Sequence, residues 1–315
     1  MEIFRDYFTA ESLTDSLANA AYVPGQTADL YETRGIGSTT LAIEALDDSG
    51  PNALTAIPRG APLPAMALDK RSVVTFALQT YGTQGAVYAD EVLNARSFGT
   101  SGAGQIVATR RDETVAKLRR NIDNLHESLR MAVVLEPDNG FGSNPAEASI
   151  ALGADATKTR AELFTKIIQP MESALGGVIF SGIRVLCSDG YWASIIENKA
   201  IKDSYLLAME GAEVRGDPRQ AFTWGGVTFE RYRGSSTVKI TDNKAVAVPM
   251  GVSGLFIQAF GPDDTFDSVG AGAMGAPYYV RAFDMDDAKG WRIRAQTHCK
   301  MVCTRPTAIL PLAFT

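Results

Sequence analysis

The feature that most constrains this chain is a proline-free stretch, "GQIVATRRDETVAKLRRNIDNLHESLRM" from Gly104 to Met131. In it Val115, Leu118, Ile122, Leu125 and Leu129 recur at alternating three- and four-residue steps. That spacing puts all five side chains on one side of a single long helix, because 3.6 residues complete a turn. Two clean heptads fall short of the three or four that sustain a free coiled coil. A stripe this narrow needs a partner, and the helix is expected to lie along a sheet or a neighbouring subunit with its wide polar face in solvent. From Gln105 to Met131 six Arg or Lys stand against four Asp or Glu, a balance of +2 in a chain of formal net charge −6. The cations are Arg110, Arg111, Lys117, Arg119, Arg120 and Arg130; a solvated face and contact with a polyanion both accommodate them.

Ahead of this helix, "STTLAIEAL" aligns Leu41, Ile43 and Ala45 on one face and "SVVTFALQT" aligns Val74, Phe76 and Leu78, the alternation of half-buried strands. Between them runs "DDSGPNALTAIPRGAPLPA", with Pro51, Pro58, Pro62 and Pro64. Loops of that length are uncommon inside a compact unit, and an isolated two-stranded ribbon is marginal in water. The segment therefore reads as a protruding arm that needs a surface to lie on.

After the long helix, Thr159 and Glu162 have capping-box spacing ahead of Leu163, Phe164, Ile167 and Ile168. This second helix should end at Gly176-Gly177 and be kinked or split by Pro170, which lacks a backbone donor. "GVIFSGIRVLC" reads as a buried strand, and "SDGYWASIIENKAIKDSYLLAME" as one or two short helices. In "GDPRQAFTWGGVTFERYRG", Phe222 and Trp224 alternate before Gly225-Gly226, and Val227 and Phe229 alternate after it. A two-residue glycine loop tolerates the positive φ angles of primed turns, so this is a hairpin. A phosphate loop would lead into a helix, and here a strand follows. Strands and helices mix without regular alternation, which is an α+β pattern.

The search for chemistry is short. His126 and His298 are the two histidines, and neither has a nucleophile motif around it. Cys187, Cys299 and Cys303 are too few for a disulfide framework, and "HCKMVC" offers three ligands where a structural zinc site wants four. Asp263, Asp264 and Asp267 lack the ligand order of a calcium loop and read as a solvated turn. No cofactor or metal motif emerges, and no enzyme class is indicated. The acidic balance argues against a protein that grips nucleic acid over a broad basic face. "MEIFRDYFTAESL" lacks the layout of a signal peptide, and no run reaches the roughly 20 apolar residues that span a bilayer, so a cytoplasmic site of synthesis is expected.

Five segments, taken in order, carry a family resemblance: "IRVLCSDGYWASIIENKAIKDSYL" from Ile183, "RGDPRQAFTWGGVTFERYRG" from Arg215, "VPMGVSGLF" from Val248, "GAPYYVRAF" from Gly275 and "CTRPTAILPL" from Cys303. Together they resemble the phage major capsid protein E family, the lambda-like capsid subunits. The stretches Phe260 to Gly275 and Ala295 to Lys300 depart from the family's usual pattern. The resemblance implies a Hong Kong 97-type capsid fold with an N-terminal arm (1–33) and an extended loop (34–85). A peripheral domain with a spine helix (86–175) and an axial domain (176–315) follow, with the strand near 289–300 a candidate to return to the peripheral domain.

It further implies a major capsid protein of a tailed bacteriophage, assembling into pentamers and hexamers of an icosahedral shell around double-stranded DNA. The expected partners are other copies of the chain, a portal protein, scaffold and decoration proteins, and packaged DNA in unspecific contact, with no membrane. Assembly would take place in the host cytoplasm. Subunit-interface candidates are Pro58 and Arg59 in the arm and Trp224, Gly225, Gly226, Phe229 and Tyr232 in the hairpin. DNA-facing candidates are Arg110, Arg111, Lys117, Arg119 and Arg120. A cargo-enclosing nanocompartment shell, a tail-tube protein and an uncharacterised enzyme are the alternatives.

Overall fold

The structure, a computed structural model, describes residues 2–21, 25–46, 71–96, 102–137, 141–142, 144–150, 159–201, 221–234 and 238–314. A 3-10 segment, Glu2–Phe8, leads into helix α1 (Ala10–Asn19). Four strands follow, β1 (Glu32–Gly35), β2 (Thr40–Leu46), β3 (Arg71–Ala77) and β4 (Gln79–Tyr88), and then α2 (Ala89–Arg96) and α3 (Ala103–Leu135). The rest of the chain supplies β5 (Ala148–Ile150), α4 (Thr159–Leu163), α5 (Gln169–Leu175), β6 (Gly182–Cys187), α6 (Asp189–Glu197), β7 (Phe222–Trp224) and β8 (Val227–Arg231). It ends with β9 (Lys244–Met250), β10 (Phe256–Phe260), α7 (Phe266–Ala271), β11 (Tyr279–Asp284), β12 (Gly290–Cys303) and β13 (Leu310–Phe314).

Two sheets organise these elements. In the five-stranded sheet the 14-residue β12 pairs antiparallel with β4, β10 and β11, and β1 lies parallel to β10. The six-stranded sheet runs β5-β13-β9-β6-β8-β7. The expected division at residues 175/176 does not separate the sheets. Beyond it, β10 pairs with β1, β12 pairs with β4 and β11 joins through β12, whereas β5, before it, joins the six-stranded sheet. The strand expected near 289–300, β12, is the one that returns to pair with β4; β10 and β11 follow it into the same sheet, which the chain order does not reveal.

The long helix finds its flat partner within its own chain. Val107, Val115, Leu118 and Ile122 pack with Val87 of β4, with Ile293 and Ala295 of β12, and with Phe8 and Leu13 of the N-terminal segment. Burying each of these aliphatic side chains contributes about 1.5–3 kcal/mol relative to exposure. Close approach is possible because β4 carries Gly85 under the helix: a Cβ there would stand 2.5 Å from Thr114 Cγ2. The helix continues one turn beyond the striped region, and its end is buried more widely. Met131, Val133 and Val134 enter a second core with Leu186, Val246, Phe256 and Met301, which draws on both sheets.

The arm strands pair as expected, antiparallel from Thr40↔Ala77 to Leu46↔Arg71. Leu41 and Phe76 face each other across the ribbon and pack on Ala259 and Val302, so its root rests on the five-stranded sheet. Pro58 and Arg59 lie outside the described residues.

The second helix is interrupted just before Pro170, which stands in the first turn of α5. A five-residue π turn, Phe164–Ile168, joins α4 to α5, and the Gln169 N–H reaches back five residues to the Phe164 carbonyl. That wider turn absorbs the proline at the start of α5. Thr159 is the first residue of α4 and buried, its hydroxyl accepting a hydrogen bond from Asn198 Nδ2 at 3.4 Å. The helix stops where expected, at Gly176 in the left-handed region with φ 61°. The strand read from "GVIFSGIRVLC" begins only at Gly182, leaving Ile179 89% exposed.

Candidate assembly and DNA-facing surfaces

At the hairpin, Gly225 and Gly226 have φ of 63° and 85°, the two left-handed residues of a type I′ turn, and Trp224 pairs with Val227 across it. Phe222 and Phe229 are opposite each other with ring centroids 5.4 Å apart, and Trp192 of α6 stands 5.4 Å from Phe222. Phe229 is 1% exposed and sits in the core below the six-stranded sheet. Tyr232 is also buried, in the core shared by the two sheets, and its hydroxyl donates to Glu127 Oε1 at 3.4 Å. Both side chains are therefore occupied inside the subunit. What the hairpin offers a neighbour is the exposed glycine turn and the half-buried Trp224.

The cations of α3 divide into two groups. Arg119 donates from Nη1 to the carbonyls of Leu17 and, at 2.7 Å, Ala20, and its guanidinium lies 5.4 Å from the Tyr278 ring centroid. Arg111 donates from Nη1 to the Tyr7 carbonyl at 2.7 Å and pairs with Asp112. These two arginines clamp the N-terminal segment to the helix. Arg130 is buried and donates from Nε to Gln258 Oε1 at 2.9 Å. Arg110 is exposed but pairs with Glu113 at 2.9 Å. Lys117 and Arg120 lie on the exposed face, and no ion pair is found for them among the described residues.

A polar network that the sequence did not announce fastens residues 25–34 between the sheets. Glu127 accepts from the Thr27 backbone N–H at 3.1 Å and from its hydroxyl at 2.7 Å, with Thr27 fully buried. Tyr31 donates to the Arg130 carbonyl at 2.7 Å, and Gln258 donates to Thr33. Gln26 donates to Glu230 at 2.9 Å and to the Arg231 carbonyl at 3.0 Å, while Arg184 forks onto Asp29. These partners lie about a hundred residues or more apart in the chain, so no local pattern could have revealed them. A residue whose exposure does suggest contact is Phe266, 94% exposed on α7, with Val269 at 78% beside it.

Burial shifts His126 and the three thiols away from their ordinary titration ranges. His126 is buried against Phe260 and Tyr278 and bonded to Thr297 Oγ1 at 3.0 Å; burial lowers its pKa to about 4, with the Arg130 charge adding to the effect. Burial pushes the thiols of Cys299 and Cys303 up to about 11 and about 12, and that of Cys187 well above its usual range. Among the described residues no helix is long and apolar enough to cross a membrane.

A family model described as phage major capsid protein E matches residues 9–313. Of solved structures, the bacteriophage PhiM1 mature capsid is similar with a TM-score of 0.59 at 11% identity, covering 94% of this chain and 88% of that one. The capsid of cyanophage P-SCSP1u gives a TM-score of 0.56 at 11% identity, covering 94% and 90%. The capsid of Myoviridae phage XM1 gives 0.53 at 12% identity, covering 94% of each chain. Among curated proteins there is no significant match. Identities this low establish the fold, the Hong Kong 97-type capsid architecture.

Proposed function

The chain belongs to the phage major capsid protein E family, and from that premise we propose how its surfaces divide the work of building a shell. It is a major capsid protein, a structural subunit of which many copies form the capsid of a tailed bacteriophage. The observation that carries this is the family match across 9–313, almost the entire chain.

In the proposed shell, pentamers and hexamers form around the exposed Gly225-Gly226 turn and the Ile179 loop, both on the six-stranded sheet's side of the molecule. The arm, carrying Pro58 and Arg59, lies across an adjacent subunit, because a two-stranded ribbon beyond its anchored root needs a surface. A contact of about 4 kcal/mol corresponds to millimolar affinity, so closure comes from each subunit holding several neighbours at once. Lys117 and Arg120, with Arg110 beside them, face the packaged double-stranded DNA and touch it without sequence preference. Portal, scaffold and decoration proteins are the remaining partners, and assembly takes place in the host cytoplasm.

The test is electron microscopy of the protein expressed alone, paired with light scattering for particle mass. Closed shells of uniform diameter support the reading. Small oligomers that stay small on co-expression with candidate scaffold proteins would overturn it.

A further inference from the structure

The turn after β10 holds a cluster of metal-ligand side chains apart from the surfaces assigned above to assembly and DNA. Asp263, Asp264 and His298 each present one ligand atom, and the three atoms lie within 4.8 Å of one another. Asp263 and His298 are 6% and 5% exposed, whereas Asp264 opens to solvent. His298 Nε2 is buried and finds no hydrogen-bond partner, although it points at Asp263 Oδ1 from 3.6 Å. That separation is too long for a hydrogen bond. It suits two donors that share one ion: ligands about 2.0–2.2 Å from a tetrahedral zinc stand roughly 3.3–3.6 Å apart. An orphaned interior nitrogen is rare enough to call for an occupant.

We propose that Asp263, Asp264 and His298 bind one divalent transition-metal ion of the zinc class at the root of the arm. The groups behind the three ligands are already those a metal site requires. His298 Nδ1 bonds Thr80 Oγ1 at 2.8 Å, which in the tautomer with the proton on Nδ1 leaves the Nε2 lone pair directed at the site. Asp263 Oδ2 is held by Arg281 Nη2 at 2.7 Å and by the Thr265 hydroxyl at 3.3 Å, so Oδ1 is the oxygen turned toward the imidazole. The Asp264 N–H also donates to Oδ1, at 3.0 Å, using one of its lone pairs and leaving the other for the ion. With neutral imidazole, the two carboxylates and Arg281 sum to −1, which a divalent ion turns to +1. An imidazole with carboxylates selects zinc, cobalt or nickel over magnesium and calcium, which prefer oxygen alone. Three protein ligands leave the solvent side of the ion to water.

The ion would staple three parts of the fold. His298 lies on β12, Thr80 on β4 just past the arm's second strand, and Asp263 opens the segment that carries exposed Phe266, Val269 and Met274. Gly261 sits at the centre of this junction: its N–H donates to the His298 carbonyl at 2.8 Å, and a Cβ there would meet Leu78 at 2.7 Å.

The experiment is calorimetric titration of the full-length protein, stripped with EDTA and dialysed, against zinc chloride and against magnesium chloride, with thermal unfolding followed in parallel. One zinc per chain, a higher unfolding temperature in zinc and no response to magnesium are expected. Asp264→Asn changes only an exposed carboxylate and leaves the Asp263–Arg281 pair intact; it should weaken zinc binding at least tenfold. His298→Gln should abolish it, and cobalt in place of zinc should give a visible spectrum that Asp264→Asn alters. Absence of stoichiometric zinc binding, or zinc binding that Asp264→Asn leaves unchanged, would overturn the assignment.

Discussion

Arg119 and Arg120 are adjacent in sequence and identical in charge, yet the structure ties one to the N-terminal segment and leaves the other exposed. Replacing each with alanine separates the two cases. Arg119→Ala removes the Nη1 bonds to the Leu17 and Ala20 carbonyls and the contact with the Tyr278 ring. Hydrogen bonds from a charged donor contribute about 1.5–3 kcal/mol each, and a partly exposed cation–π contact about 0.5–1. Arg119 is half-buried, so the lower ends apply, and the loss sums to about 3–4 kcal/mol. For a chain of this size that is a fall in unfolding temperature of about 4–6 °C. The N-terminal segment, α1 included, should become the first site of proteolysis, since Arg119 and Arg111 tie it to α3. Arg120→Ala touches an exposed side chain and should change stability by no more than about 0.5 kcal/mol. DNA retention should follow the reverse order. In purified particles at raised salt, Lys117→Ala with Arg120→Ala should release packaged DNA more readily, each lost phosphate contact lowering the salt slope of binding by roughly 1. Calorimetry of each variant, limited proteolysis and DNA release from particles supply the readouts. If Arg120→Ala lowers the unfolding temperature as far as Arg119→Ala, or if Arg119→Ala sheds DNA at unchanged stability, the division of the helix face is wrong.

Changing both Gly225 and Gly226 to alanine should cost about 1–2 kcal/mol per position, because each φ is positive and an L side chain resists that region; thermal unfolding reads the loss. His126 has a folded pKa of about 4 against 6.5 unfolded, so its contribution is complete above pH 6.5 and lost as pH falls through 4. The total is about 3 kcal/mol, and His126→Gln should flatten that part of a stability-against-pH curve. The thiols of Cys187, Cys299 and Cys303 are buried with raised pKa values, so a thiol reagent at pH 8 should label none of them until the protein is unfolded. Labelling of native protein at any of the three would contradict the packing described.

The sequence alone determined what short-range physics governs. The alternation of Leu41 and Phe76 located the arm strands, and the Gly225-Gly226 pair located a primed turn. The stripe from Val115 to Ile122 located the spine helix, because period and turn chemistry act within a few residues. The helix's last turn escaped that reading, since Met131, Val133 and Val134 are buried on more than one side. Only the tertiary structure decided the rest. It assigned β10 and β11, through β12, to the sheet of β4, drew Phe229 and Tyr232 inward, and spent Arg111 and Arg119 on backbone carbonyls of the N-terminal segment. It also brought Asp263 against His298, 35 residues further along the chain. Each of those outcomes depends on a partner distant in sequence, and whether a charge meets water, a carbonyl or a carboxylate is settled only when that partner arrives.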